Sequence, residues 1–101
     1  MEPTEIEISA DGAHLSVAWA DLRRDIPAGA LRAAARDAAS VRLRMERGSV
    51  PVAAGLRLVD AACVGAMGVN LHFSDGHDRA IYPWTYLREI AETPAALSGV
   101  N

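Results

Sequence analysis

The run Phe73-Ser74-Asp75-Gly76-His77-Asp78-Arg79-Ala80-Ile81-Tyr82-Pro83-Trp84-Thr85-Tyr86-Leu87-Arg88 constrains the fold more than any other stretch. Asp75-Gly76 stands between two apolar segments, and Gly adopts the positive φ that a tight hairpin turn needs. The chain has two Trp, two Tyr and one Phe, and all but Trp19 lie in this window. Large rings contribute most per residue to a core. Half of the residues are apolar, but 20 of them are Ala, so the rest of the core is thin and condenses on this run.

The N-terminus repeats the pattern. Thr4 to Ser9 and His14 to Trp19 each alternate with period two around Asp11-Gly12. That predicts an antiparallel hairpin with Ile6, Ile8, Leu15, Val17 and Trp19 on the buried face. Residues 21–26 read as a polar turn. Leu31, Ala34, Ala35 and Ala38 then fall at i, i+3, i+4 and i+7, a short helix over about 27–35 with Asp25 as its cap and Pro27 in its first turn. Val41, Leu43 and Met45 alternate with Arg42, Arg44 and Glu46, which predicts a short exposed strand or edge.

Leu56 to Val64 reads as a third strand whose alternation slips at Asp60-Ala61-Ala62, the mark of a bulge or of two partly covered faces. Val69, Leu71 and Phe73 face one way and Asn70, His72 and Ser74 the other. A short strand reaches Ile81-Tyr82, and Pro83 opens a helix with Trp84, Leu87 and Ala91 on one face, flanked by Tyr86 and Ile90. Thr93-Pro94 stops it, and residues 95–101 are expected to fray. The predicted class is α+β: hairpins in one small, mostly antiparallel sheet, a short inserted helix and a C-terminal helix packed on it. Length predicts one domain over 1–101, ordered over about 4–92.

Net charge is −3 and all ten basic residues are Arg. Residues 21–47 hold seven arginines against four carboxylates, a local +3, so the remainder carries −6. The overall balance argues against whole-domain nucleic-acid binding. The Arg-rich stretch is either a solvated face or a surface for an acidic partner. No run approaches the roughly 18 apolar residues of a membrane span. The acidic start lacks the features of a secretory leader. A soluble cytoplasmic protein is expected.

Few residues offer chemistry. Ser74, Asp75 and His77 have the residue types of a hydrolase triad, but neighbours in a turn do not line up with His in the middle. Cys63, the single cysteine, lies in a strand and reads as a small buried hydrophobe. His77, flanked by Asp75 and Asp78, reads as an ion pair or a solvated turn, with a metal site as the alternative. Gly65-Ala66-Met67-Gly68 lacks the residues of a phosphate cradle.

Val64-Gly65, Val69 to Asp78 and Ile81 to Arg88 together resemble the signature of the gamma-butyrobetaine hydroxylase-like N-terminal domain, a bacterial domain of unknown function. Leu15 to Trp19 and Leu31-Arg32 resemble its earlier landmarks, so the resemblance spans about residues 4–91. Such domains precede the catalytic domain of 2-oxoglutarate oxygenases, are appended to Mrp-type iron–sulfur carrier ATPases, or stand free. The resemblance implies a structural role for the signature residues Asp75, Gly76, Trp84 and Tyr86. Zinc-bearing members use three Cys after the Leu-Arg landmark plus the His of Asp-Gly-His. The Cys positions match Ala35, Asp37 and Ser40 here, while His77 is kept. One imidazole and one carboxylate do not make a tetrahedral site, so no cofactor is expected. Packing of Leu31 and Ala35 would then hold this segment.

The function expected by resemblance is a free-standing, non-catalytic accessory or protein-interaction domain. It would be linked to iron–sulfur cluster handling or oxygenase-related metabolism and have an unidentified protein partner. The alternative is a metal- or small-ligand-binding protein centred on His77, with Asp37, Asp75 and Asp78. The chain is taken as a monomer, or a homodimer through the edge near Val41 to Met45.

Overall fold

The computed structural model describes residues 2–93, so the expectation for 95–101 lies outside the described residues. Its elements are β1 (Glu5–Ile8), β2 (His14–Ala18), β3 (Arg23–Pro27), α1 (Ala28–Ala33), α2 (Ala38–Arg47), β4 (Leu58–Val64), β5 (Gly68–Phe73), β6 (Ala80–Pro83) and α3 (Trp84–Glu92). The class is α+β. The strands form two antiparallel three-stranded sheets, β1-β2-β3 and β4-β5-β6, where one had been expected.

The extra strand is β3. Its polar residues Arg23 and Asp25 look turn-like, yet they face solvent while Ile26 is fully buried opposite Leu15. Asp25 accepts a hydrogen bond from Ser16 Oγ (2.8 Å) and does not cap α1, which starts from Pro27 at its N-cap. The two sheets meet where Leu58 N–H donates to the Gly12 carbonyl (2.7 Å).

The predicted edge strand at Val41 to Met45 is α2. Val41, Leu43 and Met45 match period two by coincidence, and the real signals stand at the ends. Asp37 accepts the Ser40 N–H as an N-cap, and Gly48 closes the helix in the left-handed region at φ +83°. No strand edge exists there for a homodimer to extend. The predicted slip in β4 is a bulge between Leu58 and Asp60. Cys63 is exposed rather than buried, as are most residues of β4 beyond the bulge, an edge strand covered on one side only by β5.

Both sheets turn apolar faces to a single core. Leu15, Val17 and Ile26 meet Val69, Leu71, Phe73 and Tyr82, with Leu31 from α1 and Leu87 and Ala91 from α3. Each large side chain buried in this way contributes about 1.5–3 kcal/mol. Ile6 and Ile8 are only partly covered.

Candidate functional site

α1 is six residues long, and its last turn closes on i→i+3 bonds, Ala34 N–H to the Leu31 carbonyl (3.2 Å) and Ala35 N–H to that of Arg32 (3.3 Å). The aromatic run and Arg44 supply further donors. Tyr82 Oη donates to the Leu31 carbonyl, Tyr86 Oη to that of Ala34 (2.6 Å), and Arg44 to that of Ala33 (3.0 Å). The two tyrosine rings stack 6.1 Å apart, and the Arg36 guanidinium lies 3.4 Å over Tyr86. Trp84 Nε1 donates to the Ala66 carbonyl (3.0 Å) and so pins the β4–β5 turn. The signature rings thus pack in or against the core while their polar tips hold two separate loops. Burial pushes the Tyr82 hydroxyl's pKa up, which keeps it a donor. Tyr82→Phe leaves the Leu31 carbonyl with only the Ala34 N–H at 3.2 Å, and we expect a loss of about 1 kcal/mol in urea unfolding. An unchanged midpoint would contradict that role.

Directly beside α1 lies a polar cluster. Arg32, only 8% exposed, donates from Nε to Asp75 Oδ2 (3.0 Å) and from a terminal nitrogen to Ser40 Oγ (3.2 Å). Ser40, fully buried, donates its hydroxyl to Asp37 Oδ1 (2.7 Å). His77 Nε2–H donates to the same oxygen (2.9 Å), and the His77 backbone N–H donates to Asp75 Oδ1 (2.9 Å). The carboxylate can only accept, which assigns the imidazole proton to Nε2. The circuit Arg32–Asp75–His77–Asp37–Ser40 closes on itself and joins α1, the start of α2 and the β5–β6 loop.

Ser, Asp and His do meet here, but in the wrong order for a nucleophile. Asp37 sits between Ser40 and His77, so no imidazole reaches the hydroxyl, and Ser40 has no solvent-facing surface. The cluster also does not suit a resident zinc. Among the described residues no three His, Cys, Asp or Glu side chains converge, and Ser40 is held by a guanidinium cation. Ala35, the first of the positions matched to a thiolate, is a fully buried methyl.

The structure brings His77, Asp37 and Asp75 together, His77 meeting Asp37 through its ring and Asp75 through its backbone N–H. Gly76 forms the turn at φ +88°, and Asp78 makes no side-chain contact with the cluster among the described residues. Sequence reasoning missed Arg32 and Ser40, for which the Leu31-Arg32 landmark and the Asp37-x-x-Ser40 spacing were the available signals.

Burial alone would raise the Asp37 pKa, but the Ser40 hydroxyl and N–H and the neighbouring His77 outweigh it, so it is lowered from the ordinary 3.8. Asp75 is likewise lowered, with burial outweighed by the His77 N–H and Arg32. Lowered carboxylates stabilise the fold fully above the unfolded value of 3.8, and that stabilisation is lost as pH falls through the lower folded values. We therefore expect the urea-midpoint gap between wild type and Asp37→Asn to narrow as pH drops from about 5 to about 2.5. A gap constant over that range would contradict the assignment.

Fold and cluster define a small α+β domain tied by a closed polar node. The chain belongs to the family described as gamma-butyrobetaine hydroxylase-like, N-terminal, whose model matches residues 6–88. It is similar to a protein of unknown function from Acidithiobacillus ferrooxidans, of the DUF971 family, at 29% identity and TM-score 0.70. That match covers 91% of this chain and 94% of the other. A second solved structure, determined by NMR, matches at 25% identity and TM-score 0.67 over 89% of this chain and 72% of its own. A third, also an NMR structure, shares 19% identity at TM-score 0.65, which concerns the fold alone. No curated protein matches the chain. No helix among the described residues is long and apolar enough to cross a membrane.

Proposed function

We propose that this chain is a non-catalytic accessory domain that acts by binding another protein and holds no resident metal. The observation that carries this reading is where the large apolar side chains are exposed. Val64 (41%), Met67 (77%) and Ile81 (50%) rim the outer face of β4-β5-β6, and Val41 and Met45 lie outward on α2. Beside them runs β4, an edge strand whose single charged residue is Asp60. Exposed edges without charges or Pro invite a partner. The polar node, by contrast, spends the Ser40 hydroxyl, the His77 Nε2–H and the Arg32 Nε–H on its own members.

Family context suggests where the partner would act: cytoplasmic iron–sulfur cluster handling or oxygenase-related metabolism. Co-purification of the tagged chain from its own host tests the reading, with one reproducible stoichiometric partner as the expected result. Absence of any reproducible partner together with measurable turnover would overturn it. A metal site centred on His77 is the second reading, favoured by the 2.9 Å approach of His77 to Asp37. Filling it would require Ser40 and Arg32 to give up their bonds there.

A further inference from the structure

α2 is anchored from beneath by polar contacts, and its outer face is left uncovered. Ser40 is its single buried residue, and the bonds of Asp37, Ser40 and Arg44 secure it to the rest of the fold. Ala38, Val41, Arg42 and Met45 recur at i, i+3, i+4 and i+7, one continuous stripe of the helix. All four are exposed, Met45 at 82%. Beside this stripe a cleft of about 430 Å³ separates the first turn of α2 from the β5–β6 loop, with Arg42 on one wall and Arg79 on the other. Neither arginine has an ion-pair or side-chain hydrogen-bond partner among the described residues. The Asp37 carboxylate in the cleft is already committed to Ser40 and His77.

Resting on the interaction reading above and deepening it, we propose that this face docks an acidic, amphipathic segment of a partner protein. The segment's apolar side chains would lie on Val41 and Met45, and a carboxylate would enter the cleft between Arg42 and Arg79. Charge complementarity selects this occupant. Two unpaired guanidinium groups flank an apolar stripe in a chain whose net charge is otherwise negative, and planar guanidinium forks match carboxylates. A lipid surface fits less well, because the stripe offers two large apolar side chains and no aromatic ring.

The test is an NMR titration of the full chain with a synthetic helical peptide carrying Leu at i, i+3, i+4 and i+7 and Glu between. A Lys-for-Glu version and anionic phosphatidylserine vesicles serve as comparisons. Expected are shift changes confined to α2 and residues 77–79, and affinity weakened roughly tenfold or more by Arg42→Glu with Arg79→Glu or by Met45→Asp. Binding should fall as salt rises, with no response to the Lys peptide. Equal binding of both peptides, binding of vesicles alone, no binding at all, or a concentration-dependent self-dimer through α2 would overturn the proposal. If shifts map instead to Val64, Met67 and Ile81, the proposal falls while the accessory reading stands. Failure of host co-purification together with measurable turnover is the separate result that removes that reading. Unchanged circular dichroism of the exposed-site variants shows that loss of binding is not loss of fold.

Discussion

Arg32→Ala is expected to lower the unfolding midpoint by roughly 10–20 °C, the largest effect of any single side-chain truncation outside the apolar core. The guanidinium is the one formal cation that joins α1 to both ends of the circuit, through Asp75 and Ser40. Removing it strands a carboxylate whose side chain is 26% exposed and leaves the fully buried Ser40 hydroxyl short of a donor. Breaking a fully buried pair costs about 3–5 kcal/mol. Partial solvation of Asp75 reduces this to about 2–3 kcal/mol. Arg32→Lys should recover little, because an ammonium cannot fork to two acceptors in this geometry. A double-mutant cycle with Asp75→Asn should show clear non-additivity. If Arg32→Ala unfolds within about 2 °C of wild type, the node does not hold the fold.

Gly68→Ala is the second large effect, expected at about 3 kcal/mol or more. Gly68 pairs with Pro83 across the β5–β6 ladder, and a Cβ there would lie 2.8 Å from Pro83 Cα and closer still to the Tyr82 carbonyl. Both obstacles are backbone, and Tyr82 is fully buried, so nothing yields cheaply. The strand pairing must open, and with it the point from which Tyr82, Trp84 and Tyr86 reach their loops. Gly29→Ala is the internal control. Its Cβ meets the side chain of Val52 at 3.5 Å, an ordinary contact, within α1. That substitution should leave stability unchanged or raise it by about 0.5–1 kcal/mol. Equal urea midpoints for the two variants would contradict this picture of the ladder.

The hairpins and α3 were legible in the sequence because their signals are local. Asp11-Gly12 and Asp75-Gly76 turn the chain, and period-two or helical spacing continues on each side. β3 was not legible because a strand whose inward contribution is mainly Ile26 displays charges at its other positions. α2 was misread for the opposite reason. It buries almost nothing, so tertiary packing never imposed a 3.6-residue apolar period on it, and Val41, Leu43 and Met45 happened to mimic a strand.

In the node, His77 and Asp37 were named as candidate ligands through the family pattern, whereas Arg32 and Ser40 entered it only as a landmark and a matched position with no role at the site. Arg32 reaches Asp75 across 43 residues of sequence. Apart from the Leu31-Arg32 landmark, nothing in composition distinguishes the buried arginine from the nine others. The expected holding of this segment by Leu31 and Ala35 is half of what is found. Both are fully buried, and the polar circuit joins the segment's other side to the β5–β6 loop.

The most direct test of a self-sufficient polar node is metal content joined to thermal stability, measured on untagged protein purified without chelator. The expected result is zinc well below one ion per chain and superimposable melts in EDTA and in added Zn²⁺. His77→Ala should then be destabilised equally in both. One tightly held zinc per chain, with a melting temperature raised by Zn²⁺ only while His77 is present, would contradict it.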